Sequence, residues 1–271
     1  LENGKGFKGM SQATKYIPVS VELYNSIVHH FGSHVSPTSI VENSIREYLG
    51  SRSLAGGREG STAVENSPLI SADLEQRIRV ILDKYWGGKL YMKIPHPAFD
   101  GWPATYGYER WDVIKPHLAG LSGKALDIGA HFGSFSHLLE ETGFDVTSVE
   151  ICPHHAQIMS DIRDLANRRF QVVNASIFDL AEAQFDLVFA MNVFHHFLKK
   201  EVDYQGLIAF LNRLQCRAFI FQSHDPGESQ MEGAFINFHP QEFAEFVMRH
   251  SGLSQIQCIR DSEIRKIYKI T

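Results

Sequence analysis

The stretch LDIGAHFGSFSHLL, residues 126–139, decides the fold. It opens as an apolar strand, breaks at Gly129, places His131 where a tight phosphate loop wants a second glycine, and settles into helical spacing after Gly133. Strand, glycine turn and helix in immediate succession open a βαβ unit. The pattern continues downstream. KALDIGA, DVTSVEI, FQVVNAS, FDLVFAMN and RAFIFQS read as strands, separated by helical stretches to Thr142, from His154, near 200–214 and from Pro240. The last pieces, SQIQCIRD and IRKIYKI, lie too close together for a helical crossover, which predicts an antiparallel hairpin at the sheet edge. The expectation is an α/β fold: a doubly wound, mostly parallel, seven-stranded sheet with helices on both faces.

The chain has 271 residues with 44% hydrophobic content, enough for one large domain and a small one. A net charge of −5 argues against broad attraction to nucleic acid or an anionic membrane. Cys152, Cys216 and Cys258 are far apart and without metal-ligand spacing, so they read as free thiols in a reducing compartment. No apolar run approaches the roughly 20 residues that cross a bilayer. These features predict a cytoplasmic protein with no membrane partner.

Upstream, Ile17, Val19 and Val21 alternate as in a strand, Leu23, Ile27, Val28 and Phe31 follow helical spacing to Gly32, and Ile40, Val41, Ile45, Tyr48 and Leu49 give a second helix closed by Gly50. This strand-helix-helix order over residues 13–50 resembles the ribbon-helix-helix family, whose strand pairs with its twin. The resemblance implies a homodimer, with nucleic acid as a further partner of the arm. The outward strand positions, Tyr16, Pro18 and Ser20, have only Lys15 as a basic neighbour, a poor set for phosphate contact or base reading. Residues 51–70 are rich in glycine and serine and predict a flexible linker, leaving 71–271 as the main domain behind a helical and aromatic lead-in.

In an open parallel sheet, ligands gather at the strand carboxyl ends near the point where strand order reverses. A dinucleotide loop needs GxGxxG; here Gly129, His131 and Gly133 lack the middle glycine, which weighs against a nicotinamide-dependent oxidoreductase. Asp127, two residues before Gly129, suits a cationic or amine-bearing ligand better than a pyrophosphate. Glu150 ends the second strand, where a carboxylate accepts hydrogen bonds from ribose hydroxyls.

LDIGAHFGSF followed by VTSVEI and FDLVFAMNVFHHF resembles the class I S-adenosylmethionine-dependent methyltransferases, over roughly residues 105–271. The resemblance implies S-adenosyl-L-methionine as cofactor. Asp127 and Gly129 would face its methionine part, with Ala130 and His131 in the same loop. Gly133 would allow backbone approach, Glu150 would bind the ribose, and Ile151 would flank the adenine. Ser176, with Ile177 beside it, falls where an adenine-contacting aspartate often sits, and Asn192 ends the fourth strand at the ligand edge. The lead-in YGYERWDVIKPHL is somewhat like the branch that modifies tRNA wobble uridine.

Methyl transfer from a sulfonium requires alignment and, for some acceptors, removal of a proton. His195 and His196, after the fourth strand, are the candidate proton acceptors; the plainer reading is that one packs under the next helix and the other caps it. His131 is a second base, a cover over the methionine carboxylate, or, as the default, a solvent-facing loop residue. Tyr106, Tyr108 and Arg110 are candidate substrate contacts from the lead-in, and an arginine there pairs with a carboxylate or phosphate. His224 lies in the long loop QSHDPGESQMEGAFINFHP, a candidate substrate lid; its spacing to Asp225 and His239 matches no specific metal site. The function expected is a methyltransferase acting on an unidentified acceptor, a small molecule by preference. A DNA-binding regulator with a ligand-sensing, degenerate methyltransferase fold and a tRNA-modifying methyltransferase are the alternatives.

Overall fold

A computed structural model describes residues 70–262 and 265–271. The strand-helix-helix arm expected at 13–50 and nearly all of the linker lie outside the described residues.

The first element, helix α1 (Ala72–Tyr85), starts where Ser71 accepts the Leu74 backbone N–H at 3.2 Å. It buries Leu74, Ile78 and Leu82. The lead-in, expected only as an aromatic approach, holds two short strands, β1 (Leu90–Met92) and β2 (Ala104–Tyr106), paired in parallel, and helix α2 (Glu109–Ile114). Three-residue strands are too short to show alternation, which is why the sequence hid them.

The main sheet contains β3 (Gly123–Ile128), β4 (Phe144–Val149), β5 (Gln171–Val173), β6 (Leu187–Met191), β7 (Ala218–Gln222), β8 (Ile256–Arg260) and β9 (Ile267–Ile270). Helices α3 (Ser134–Glu141), α4 (Pro153–Leu165), α5 (Glu201–Arg213) and α6 (Pro240–Ser251) alternate with them. Strand order is β5-β4-β3-β6-β7-β9-β8; β3 to β7 run parallel, and β9 is antiparallel to both β7 and β8. The expected seven-stranded, doubly wound sheet and its terminal antiparallel hairpin are therefore present, with β9 inserted beside β7 and β8 at the edge.

Both faces of the sheet are covered. Leu126, Ile128, Val188, Ala190, Phe219 and Phe221 pack into one apolar cluster with α5 and α6, while Ala125, Leu187, Phe189 and Ile220 pack on the other side with α2 and α3. Alternate residues thus enter opposite cores, and the central strands read as continuous apolar runs for this reason. A third cluster joins α1 to α4 through Ile78, Phe132, Ile158 and Ile162.

The order of strands reverses between β3 and β6. Ile128 is level with Val149 on one side and Ala190 on the other, so Gly129, Glu150 and Met191 emerge together at the carboxyl edge. That edge is where a doubly wound sheet takes its ligand.

Candidate active site

The glycine loop turns through three left-handed residues, Gly129 (φ 68°), His131 (φ 54°) and Gly133 (φ 81°). Only glycine adopts this region without strain, and a Cβ on Gly129 would stand 2.7 Å from Val193 Cγ2. His131 and Asn192 (φ 56°) hold the same conformation without glycine's freedom. Non-glycine residues in this region concentrate at functional sites.

Glu150 secures the loop. One carboxylate oxygen accepts the His131 backbone N–H at 2.9 Å, and the other accepts that of Cys152 at 2.8 Å. Burial raises its pKa, and the backbone N–H bonds oppose that rise. A carboxylate offers about four lone-pair sites, so two remain for a ligand diol. Ile151 beside it is 56% exposed. Asn174 donates to the carbonyls of both Glu150 (2.8 Å) and Ile151 (3.1 Å) and fixes this corner; no local pattern marks it in the sequence.

Asp127 is placed differently. It is buried under the start of α3, where it accepts the Ser136 hydroxyl at 2.6 Å, and Ser148 donates to Ser136 at 2.8 Å. Burial pushes its pKa up to about 7, against the Ser136 hydrogen bond. Its carboxyl therefore ties β3, β4 and α3 together beneath the loop.

Tyr91, on β1, is a hub that sequence reading missed. Its hydroxyl accepts from Arg110 Nη1 and from Asn192 Nδ2, each at 3.3 Å, and its ring packs edge-on to Tyr106 with centroids 5.2 Å apart. His131 closes the group from the glycine loop, its ring 6.0 Å from that of Tyr91 and 5.5 Å from that of Trp86. The solvent-facing default for His131 is thereby corrected. The imidazole lies among Trp86, Tyr91, Phe132 and His155, burial holds it neutral, and its Nε2 is sealed without a hydrogen-bond partner. Aromatic packing turns the ring inward at a position where sequence shows only a loop.

The remaining candidates divide. His195 is 2% exposed; its Nε2 lies 3.2 Å from Gln230 Oε1, its Nδ1 has no partner, and burial lowers its pKa to about 2. His196 is exposed, with its ring tilted against that of His195 at 4.0 Å between centroids. His224 is buried, pairs through Nε2 with Asn237 at 2.8 Å, and lies 5.9 Å from His195 ring to ring. Tyr108 is half-buried against the apolar cluster under the sheet, and Ser176 accepts the Phe178 N–H to cap a 3-10 turn. Ile177 and Ala130 point into the core. Arg110 is buried and lines an open cleft of about 890 Å³ with Tyr106, Gln222, Gln230 and Arg260. Among the described residues no group of three His, Cys, Asp or Glu side chains could hold a metal ion, and no helix is long and apolar enough to cross a membrane.

An adenosine with a cationic amino-acid tail fits this edge. The Glu150 lone pairs match its ribose diol, exposed Ile151 matches its base, the glycine loop allows close backbone approach, and the buried, unpartnered Asn192 Oδ1 matches an ammonium.

Residues 126–219 match the family model of the methyltransferase domain. The matched segment carries the glycine loop, Glu150 and Asn192. No curated protein sequence matches the chain. Among solved structures, the bifunctional kinase-methyltransferase WbdD is similar at 20% identity and a TM-score of 0.53, covering 73% of this chain and 46% of WbdD. A second WbdD structure, with its C-terminal bundle ordered, gives 22% identity and a TM-score of 0.51 over 66% of this chain and 38% of that one. The likeness is one of fold, and this chain spans less than half the length of these WbdD chains.

Proposed function

We propose that the protein transfers the methyl group of S-adenosyl-L-methionine to a small-molecule acceptor bound in the cleft beside Arg110. The observation that carries the reading is Glu150. It closes the glycine loop with two backbone hydrogen bonds and keeps lone pairs for a ribose, next to an exposed Ile151. The cofactor supplies an electrophilic methyl carbon on a sulfonium, so that attack by the acceptor breaks the carbon–sulfur bond and leaves a neutral thioether. The protein's share is alignment and exclusion of water.

A concave cleft of about 890 Å³ is the size of small-molecule sites, which favours a metabolite-sized acceptor. Where the acceptor must lose a proton, His195 is the candidate to receive it. The Gln230 contact places the imidazole proton on Nε2 and leaves the Nδ1 lone pair unengaged. His195 stands one residue behind the cleft wall that Gln230 forms. Burial lowers its pKa to about 2, which makes it a weak base in the free protein, so it takes a proton only where the bound acceptor raises that value.

Calorimetric titration with S-adenosylhomocysteine tests the reading. Saturable binding in the micromolar range is expected; no binding up to millimolar concentration removes it.

A further inference from the structure

Arg110 carries a charge that nothing among the described residues neutralises. It is 2% exposed, and its Nη1 is met only by neutral partners, Tyr91 Oη at 3.3 Å and Gln222 Oε1 at 3.2 Å. Its Nε and Nη2 have no hydrogen-bond partner, and among the described residues no carboxylate pairs with it. The rings of Tyr106, Tyr91 and Phe135 face the guanidinium at 4.2, 5.3 and 5.4 Å. These π faces hold the plane in place but accept no N–H bond at its edge. A buried charge left with two donor nitrogens free is costly unless a ligand completes it.

The rest of the cleft has the same bias. Glu228 is spent on Arg265 at 2.7 Å, and Glu109 folds back over Gly107, where an added Cβ would meet its carboxylate at 2.8 Å. Arg260, at the end of β8, makes no ion pair among the described residues and faces the same space. Two arginines without carboxylate partners among the described residues therefore share one cleft in a protein of net charge −5.

We propose that this cleft receives an acceptor bearing an oxyanion, a carboxylate or a phosphate, with Arg110 as its receptor and Arg260 as a second cation. The inference rests on the methyltransferase reading and adds the substrate's chemical class to it. The cleft belongs to the acceptor because of where it lies. Its walls come from α2, the end of β7, the loop after it and the end of β8. Gly129, Glu150 and Ile151 emerge from β3 and β4, on the opposite side of the strand reversal.

The test uses the full chain saturated with S-adenosylhomocysteine and titrated with inorganic phosphate and, separately, with benzoate. At least one anion binds, and the affinity falls with added salt; which one binds identifies the group. Arg110→Gln weakens that binding about tenfold or more, as loss of charge-assisted hydrogen bonds requires, and leaves S-adenosylhomocysteine affinity within about twofold. Arg260→Gln, a half-buried change that leaves no hydrogen bond broken, weakens it about threefold and keeps the test intact should the Arg110 variant not fold. The proposal is overturned if neither anion binds the loaded protein. It is equally overturned if Arg110→Gln loses S-adenosylhomocysteine while 5′-methylthioadenosine, which lacks the amino-acid carboxylate, binds as before. Failure of S-adenosylhomocysteine to bind the unaltered protein is a separate result and bears on the methyltransferase reading.

Discussion

The carboxylate of Glu150 accepts the backbone N–H of His131 at 2.9 Å, joining the end of β4 to the left-handed turn after β3. One side chain thus shapes the loop and also faces the ligand edge, so two substitutions separate its duties. Glu150→Gln keeps an oxygen for one backbone N–H, whereas Glu150→Ala leaves the His131 and Cys152 amides unmet. The expected outcome is a loss of S-adenosylhomocysteine affinity of about 1–3 kcal/mol in both variants. Thermal stability falls further in the alanine variant. Calorimetry and thermal melts on both proteins check it.

Gly129 is constrained twice, by its positive φ and by Val193. Gly129→Ala is expected to cost about 1–3 kcal/mol of stability from backbone strain together with the clash. Adding Val193→Ala removes the 2.7 Å encounter and recovers only the steric part. Chemical denaturation of the single and double variants separates the two contributions; full recovery by Val193→Ala would show that strain plays no part.

Asp127 ties stability to pH. Its folded pKa, about 7, lies above the ordinary 3.8, so the protonated form is the one the fold favours. The stability it contributes is complete below about pH 4 and is lost as pH rises through 7. Asp127→Asn keeps an oxygen for the Ser136 hydroxyl and has no charge to bury. Between pH 5 and pH 8 the variant is expected to gain on the unaltered protein by about 2–4 kcal/mol, measured by denaturation at both pH values.

His137 has the opposite sign. It is fully buried, neither ring nitrogen has a partner among the described residues, and burial lowers its pKa to about 3, with Arg168 and His96 adding to the shift. Its neutral form contributes stability that is present above the unfolded value of 6.5 and is lost as pH falls below it. His137→Leu is expected to be close to neutral at pH 8 and to stabilise by about 2 kcal/mol at pH 5. Equal effects at the two pH values would show that the imidazole does not titrate against folding.

The sheet was legible because the central strands are short apolar runs closed by a glycine, an acid or an amide, and the crossovers have helical spacing except from β5 to β6, which holds only a 3-10 turn. The glycine loop and Glu150 were legible for the same reason: they follow strands directly, and their level in the sheet is set by register. β1 and β2 were not, since three residues carry no period. Tyr91 was hidden with them, and through it the meeting of Arg110, Asn192 and His131.

Local sequence thus determined the alternation of strand and helix, the turn at Gly129 and the acid at Glu150, because backbone preference and side-chain period act over a few neighbours. Only tertiary structure decided that Asp127 is sealed beneath a helix and that His131 turns inward. It also decided that Arg110 stands beside Gln222, 112 positions away, with no carboxylate among the described residues to meet it. Burial and partnership arise from packing between distant segments, and those two quantities decide whether an ionisable side chain is structure or site.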